Sequence, residues 1–444
     1  MSAAPLDGVR VVEIGVAMAG PFCAMLLADY GAQVVKIERV GVGDDSRAWP
    51  PYFHDALGHY FASANRNKHS VALDLKRAEG VEVVRRLIGG ADVVVDNYRV
   101  GALERAGLGY EALAAMNPRL VYCSISGFGA TGPRSREPAN DLFMQAFSGS
   151  MSVTGEVGGG PVKMGLSVAD LGAGMLGAIG VLMALEARHR TGRGQRVETS
   201  LLEGQLAMLS YHLTRFFSSG EVPGPSGSGA LTSPIYRAFK ASDDWIVISA
   251  FNDRMYRDLC GALGRPEWAD DPRFCDARQR ADHRDLLIGM IGEVMAKDPV
   301  AHWQSRLKAA GVPCSPINRI DRAVAEEQVR ARDMIVQLEL PGLGPIRMAG
   351  LPLKFSETPG RIELHPPRLG QHTAEVMRRL GYADAAIEDL AAQGVVGLDP
   401  GWCPPAGAPR LVPPGWCPQG GAPRVVPDDA GEGPAVGRSA GEAR

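Results

Sequence analysis

The sequence predicts an α/β domain joined to a smaller α+β unit. Three observations point there. Short β-branched runs alternate with longer helical stretches through residues 1–125, a segment rich in Gly, Pro and Ser interrupts the chain at Gly220–Gly229, and strand-like text returns after Met334.

Taken in order, Val9–Gly15, Gln33–Glu38, Ala91–Asn97 and Leu120–Ile125 read as strands. All but their ends are apolar enough to be covered on both faces, as parallel strands are. Helical stretches intervene at Pro21–Tyr30, Ala78–Ile88 and Gly109–Ala115. The glycine-rich Gly127–Gly132 leads into a polar loop with Arg134, Arg136 and Pro138. From Asp170 to Arg188 nearly every residue is Gly, Ala, Leu or Met, which predicts a helix whose small residues admit a second backbone. Another helix spans Leu201–Phe217 after the turn TGRGQ. Beyond Gly220–Gly229, the best domain boundary, Trp245–Ala250 reads as a strand and Asp253–Leu263, Ala281–Met295 and Pro299–Ala310 as helices. Met334–Phe355 reads as short strands punctuated by Pro341, Gly342, Gly344 and Pro352, and Thr373–Leu380 as a helix. After Gly397 the chain is dominated by Gly, Pro and Ala, with a GWCP repeat at Gly401–Pro404 and Gly415–Pro418. Few large apolar residues remain there to bury a core, so this tail is predicted to be disordered.

Charge narrows the function. With 47 Lys plus Arg against 50 Asp plus Glu, the formal net charge is -3, and no global basic field exists to hold nucleic acid or an anionic membrane. Seven scattered cysteines without a CxxC predict neither a disulfide framework nor a thiolate metal site, and nine histidines form no HExxH. The apolar region around Leu176–Leu185 is broken by glycines and falls short of the ~20 residues a spanning helix needs. The start, MSAAPLDGVRVVEIG, carries no charged-then-apolar leader, so a cytoplasmic location is expected.

Familiar nucleotide motifs fail. EIGVAMAGP followed by Glu38 has the layout of a dinucleotide unit, but Gly15 and Gly20 do not make GxGxxG. No GxSxG or Walker loop is present. Basic residues nonetheless gather near strand ends, where open α/β sheets bind ligands: Arg39, Lys76, Arg99 and Arg105. Each is either a solvated surface charge or a phosphate partner.

Asp170 in GLSVADLGAGM opens the small-residue helix as an N-cap or first-turn acid. Capping alone would justify it. Chemistry is the other reading, since a helix end keeps a carboxylate ionised and an ionised carboxylate is a nucleophile.

The segments PLDGVRVVEIG, GADVVVDNYRVGALERAGLGYEAL, NPRLVYCSISGFGATGP, VADLGAGM, HRTGRGQRVETSLLEGQ and GLPLKFSETPG stand in one order between Leu6 and about Tyr382. In this the chain resembles the family III CoA-transferases, the formyl-CoA transferase and carnitine CoA-transferase group, which also holds the α-methylacyl-CoA racemases. The resemblance implies an intertwined homodimer with a Rossmann-like large domain built from both chain ends: residues 1–220 and a return segment 331–396 around a small domain at 221–330, with the tail at 397–444 outside it. It implies acyl-CoA and small carboxylate substrates, a CoA thioester as substrate and no permanently bound cofactor.

The resemblance also assigns roles. Asp170 matches the acid that forms an aspartyl-CoA intermediate. Arg39 matches a basic residue near the adenine nucleotide, Leu73 and Lys76 match residues lining the CoA site, and Asn97, Tyr98 and Arg105 match strand-end positions against nucleotide and pantetheine, with Arg99 beside them. Met18 stands where some relatives place glutamine beside the acyl group. Racemising relatives use histidine where this chain has Asn140, and asparagine cannot be that base; many transferases carry tyrosine there, so Asn140 departs from both and is read as tuning the acyl pocket. A racemase is the second reading and a non-enzymatic CoA-binding or assembly protein the third. The runs Gly158–Gly160 or Gly224, Gly227 and Gly229 are candidates to cover the acyl centre. Arg47 and Lys163 are candidate cations for a distal carboxylate of succinyl-CoA-type donors or dicarboxylate acceptors.

Overall fold

The computed structural model describes residues 3–230 and 233–399; the predicted tail from residue 400 onward, with its GWCP repeat, lies outside them. Its large sheet is built from β1 (Arg10–Ile14), β2 (Gln33–Glu38), β3 (Lys68–Leu73), β4 (Val93–Asp96), β5 (Val121–Ser126) and β6 (Arg196–Ser200), all parallel, in the order β3-β2-β1-β4-β5-β6. The order reverses between β1 and β4, and in such sheets ligands bind at the carboxyl ends of strands flanking the reversal.

Period-2 side chains divide the core into two layers. Val11, Val93 and Val95 face one side, packed with helices α1 (Ala19–Asp29) and α4 (Val168–Thr191). Val12, Ile14 and Val94 face the other, with helix α2 (Ala78–Gly89) and with Val376, Met377 and Ile387 from near the end of the described chain. Helices α3 (Asp141–Phe147) and α5 (Leu201–Leu209) pack against α4, and α6 (Tyr211–Ser219), which buries none of its residues, follows α5.

A three-stranded antiparallel sheet, β7 (Tyr236–Lys240), β8 (Trp245–Ser249) and β9 (Cys314–Pro316), forms a separate core with Tyr256, Leu287, Ile291 and Trp303. The chain then returns. Hairpin β10 (Ile335–Leu340) and β11 (Gly344–Ala349) packs on Leu57 and Phe61, Tyr30 donates to Leu353 O at 3.2 Å, and β12 (Val396–Gly397) pairs antiparallel with β3.

Several sequence expectations shift. RVETS, unassigned from sequence between the turn TGRGQ and the helix, is a strand, and Lys68–Leu73 is another. Leu201–Phe217 is two helices, broken at Ser210 with φ of 38°, and Ala281–Met295 is broken at His283. The small-residue helix is longer than its glycines suggested. At 24 residues α4 is, by length and composition, long and apolar enough to cross a membrane, and half of its apolar window is buried. Its glycines do not break it because they are contact points: a Cβ at Gly174 would lie 2.8 Å from Ala19 O in α1.

Candidate active site

The carboxyl end of β1 is held in an unusual shape by buried charge. Lys36 Nζ donates to Gly15 O at 2.9 Å, Asn97 clamps Val16 through its N–H and its carbonyl at 2.9 Å each, and Asp44 accepts from Ala17 N at 3.0 Å. Ala17 is thereby kept at φ 63°, a left-handed conformation costly for a residue with a Cβ. Behind it lies a network with no solvent access: Lys36 pairs with Glu13 at 2.7 Å and Asp44 at 3.0 Å, and Lys68 pairs with Glu13 at 2.7 Å. Burial pulls Lys36 down, but Glu13 and Asp44 outweigh it and the ammonium ends well above its ordinary value. Burial opposes the Asp44 charge too, yet Lys36 and the Ser46 hydroxyl hold it far below the carboxylate range.

This pinned loop forms one wall of a cavity of ≈ 450 Å³ at the sheet's reversal point. Met18, Trp49, Tyr60, Asn140, Lys163 and Asp170 line it. Asp170 lies in the first turn of α4, after Ser167 at the N-cap, which makes no side-chain cap bond. The acid serving that helix end is instead Asp141: its Oδ1 accepts from Ala169 N at 2.9 Å and its Oδ2 from Gln145 Nε2 at 2.7 Å. Freed from capping, Asp170 is half-buried, and burial first, then the Asp141 charge, push its carboxyl up to about 7. The expectation that the helix end keeps it readily ionised is therefore corrected: desolvation wins. Tyr60 sits close enough that, after burial, the Asp170 charge is the next cause raising its phenol.

The other residues singled out by sequence fall in three places. Asn140 lines the cavity, but its Oδ1 is engaged by Phe143 N at 3.0 Å as the N-cap of α3. Asn97 is the loop clamp and also lines the cavity. Lys76 and Arg105 line a second cavity of ≈ 600 Å³ with Arg77 and Arg85. Arg39 is half-exposed beyond β2, bonded to Gly43 O at 3.2 Å and paired with Asp45. Tyr98 is half-buried, its phenol raised by burial. Leu73 has no exposed side-chain surface and pairs with Val396, so it offers a ligand no side chain. Arg99 is exposed past β4. Gly227 N donates to Gly155 O at 2.9 Å, just ahead of the run Gly158–Gly160, and neither glycine run lines the Asp170 cavity. Among the described residues no cluster of His, Cys, Asp or Glu has a metal-holding arrangement.

Sequence reasoning missed Tyr60, Trp49, Asp44 and the Glu13–Lys36–Lys68 network. Charges inside otherwise apolar strands, VVEI and VVKIE, were the available signal, because such positions are buried only when paired.

Fold and site together define a class: an α/β enzyme whose raised carboxyl opens onto the switch point of a parallel sheet. The chain belongs to CoA-transferase family III, whose family model matches residues 6–373. It is 36% identical over 394 residues to the succinyl-CoA:glutarate CoA-transferase of Homo sapiens, covering 88% of this chain and 90% of that one. It is 37% identical over 382 residues to the succinate–glutarate CoA-transferase of Agrobacterium fabrum, covering 85% and 96%. A solved structure of a CAIB/BAIF family protein from Brucella suis, 34% identical, matches with a TM-score of 0.77 over 86% of this chain and 100% of that one.

Proposed function

We propose that this family III CoA-transferase moves CoA from an acyl-CoA donor, with succinyl-CoA as the foremost candidate, to a small carboxylic or dicarboxylic acid through an aspartyl-CoA thioester on Asp170. The observation that carries the reading is the Asp170 carboxyl, not used for capping, raised to about 7 and open to the switch-point cavity. A carboxylate of raised pKa is more basic and more nucleophilic, and acylation discharges an ion that burial disfavours.

The ionised Asp170 oxygen attacks the thioester carbon, the C–S bond breaks, and a mixed anhydride and CoA thiolate result. The thiolate attacks the Asp170 carboxyl carbon and expels the donor acid, leaving the aspartyl thioester. The acceptor carboxylate then attacks that carbon, thiolate leaves again, and it attacks the acceptor's acyl carbon to release the new thioester and regenerate Asp170. No proton is consumed and thioester energy is conserved. Arg39, Lys76, Tyr98 and Arg105 are assigned to the nucleotide and pantetheine of CoA, which suits the basic cavity of Lys76 and Arg105. Met18 and Asn140 shape the acyl pocket. The relatives named for glutarate support a dicarboxylic acceptor.

The working unit is an intertwined, Rossmann-like homodimer in the cytoplasm. An exposed apolar stripe on α4, Leu176, Ile179, Leu182 and Met183, supports a second copy as its cover.

The test is a panel of acyl-CoA donors and free acids, with new thioesters identified by mass and the intermediate trapped by hydroxylamine or borohydride. Label is expected on Asp170. Modification at Glu38 or Asp141, or loss of the α-proton from a chiral 2-methylacyl-CoA without any exchange, would refute the assignment.

A further inference from the structure

By sequence, Arg47 and Lys163 are equal candidates to meet a distal carboxylate; the fold separates them. Arg47 is buried, with Nε and one terminal nitrogen each 2.7 Å from Glu38 oxygens and the other terminal nitrogen donating to Pro367 O at 3.0 Å. Its guanidinium lies 3.7 Å over the Phe61 ring centre, so the fork is committed on every side.

Lys163 is exposed and lines the same ≈ 450 Å³ cavity as Asp170, where it is the sole cation among the lining residues. Its backbone is tethered to the catalytic helix. The next residue, Met164, donates its N–H to the Gln145 Oε1 at 2.8 Å, and the buried Gln145 side chain also donates to Asp141 and to Leu166 O at 3.3 Å. Asp141 in turn holds Ala169 N, one residue before Asp170. One buried amide thus sets the start of the lysine stem relative to the reacting carboxyl.

Charge supplies the rest. The cavity contains two carboxyl groups, and Asp141 is occupied by Ala169 N–H and Gln145. Once Asp170 is a neutral thioester, the ammonium is the one cationic partner in the wall for an incoming acid that carries a second charge. Resting on the Asp170 reading above, we propose that Lys163 receives the distal carboxylate of a short dicarboxylic acid whose proximal carboxylate exchanges CoA at Asp170. The flexible stem lets the ammonium follow acids of different length, and a point charge suits a carboxylate reached from several angles.

The test uses full-length protein, a monocarboxylic donor such as acetyl-CoA, and paired acceptors: glutarate or succinate against butyrate. For Lys163→Met, the ratio of kcat/KM for dicarboxylate over monocarboxylate is expected to fall by about 10–100-fold, through KM more than kcat, with Lys163→Arg recovering most of it. Equal loss with both acceptors, an unchanged ratio, or a wild-type preference for butyrate would overturn the proposal. Trapping of label from acetyl-CoA on Asp170 in the wild type separates the two levels: no label there sinks the Asp170 reading itself, whereas label with an unchanged ratio sinks only the role of Lys163.

Discussion

Asp170 and Asp141 stand two helices' starts apart in function. One acid closes a helix end and the other, relieved of that duty, is left half-buried beside it with its carboxyl near 7. On the proposed mechanism the nucleophile is the ionised form of Asp170, so the rate of its acylation is expected to climb as pH rises through about 7 and to level off above it. Single-turnover rates from pH 5.5 to 8.5 check this; a profile flat across that range contradicts the raised carboxyl. The same group costs stability. Its folded value lies above the ordinary carboxylate value of about 3.9, so ionisation is penalised in the folded state, increasingly up to about pH 7 and fully above it. Asp170→Asn is therefore expected to abolish transfer and yet raise Tm by about 2–6 °C at pH 8, with a smaller gain at pH 5.

At the scale of elements, the loop after β1 depends on the charge network beneath it. Lys36→Met would strip a counter-ion from Glu13 and Asp44, both fully buried, and release Gly15 O. Removing one partner of a buried pair costs about 3–5 kcal/mol, which denaturant unfolding would read, and the Met18 wall should loosen with a loss of kcat. Adding Glu13→Gln to Lys36→Met should not be additive, since both act on one network. Helix glycines divide by what surrounds them. Gly174→Ala places a Cβ 2.8 Å from Ala19 O and 3.2 Å from the Phe22 ring, so a destabilisation of about 1–3 kcal/mol and a displaced α1 are expected. Gly289, in the helix Arg284–Met295, has nothing within 4 Å of the same position, and Gly289→Ala should stabilise by about 0.5–1 kcal/mol.

For the whole molecule, the exposed apolar residues of α4, Met183 at 68% among them, are joined by Leu206 and Met208 of α5, which packs against it. Phe217 in α6 is 76% exposed as well. Exposed apolar patches mark interaction surfaces. Light scattering should give twice the chain mass for the wild type, and Ile179→Glu with Met183→Glu should yield monomer with little transfer activity. A wild-type monomer that retains full activity would remove the second copy from the proposal.

Much of this molecule is legible in its residues. The parallel strands at Val9–Gly15, Gln33–Glu38, Ala91–Asn97 and Leu120–Ile125 announce themselves because strands covered on both faces need apolar side chains at nearly every position, a local requirement. The same text exposes Asp170 at the start of a small-residue helix and, by resemblance, the family, which the match over residues 6–373 establishes. RVETS escaped because a sheet-edge strand with alternating exposure looks like a polar turn until β5 is beside it. What only the tertiary structure decided is which of two acids caps α4, which of two cations is committed elsewhere, and how Ala17 is held. Each is settled by partners distant in sequence, Asp141 for Ala169, Glu38 and Pro367 for Arg47, Asp44 for Ala17, and the direction in which a carboxyl or ammonium shifts depends on burial and neighbouring charge that one-dimensional spacing does not contain.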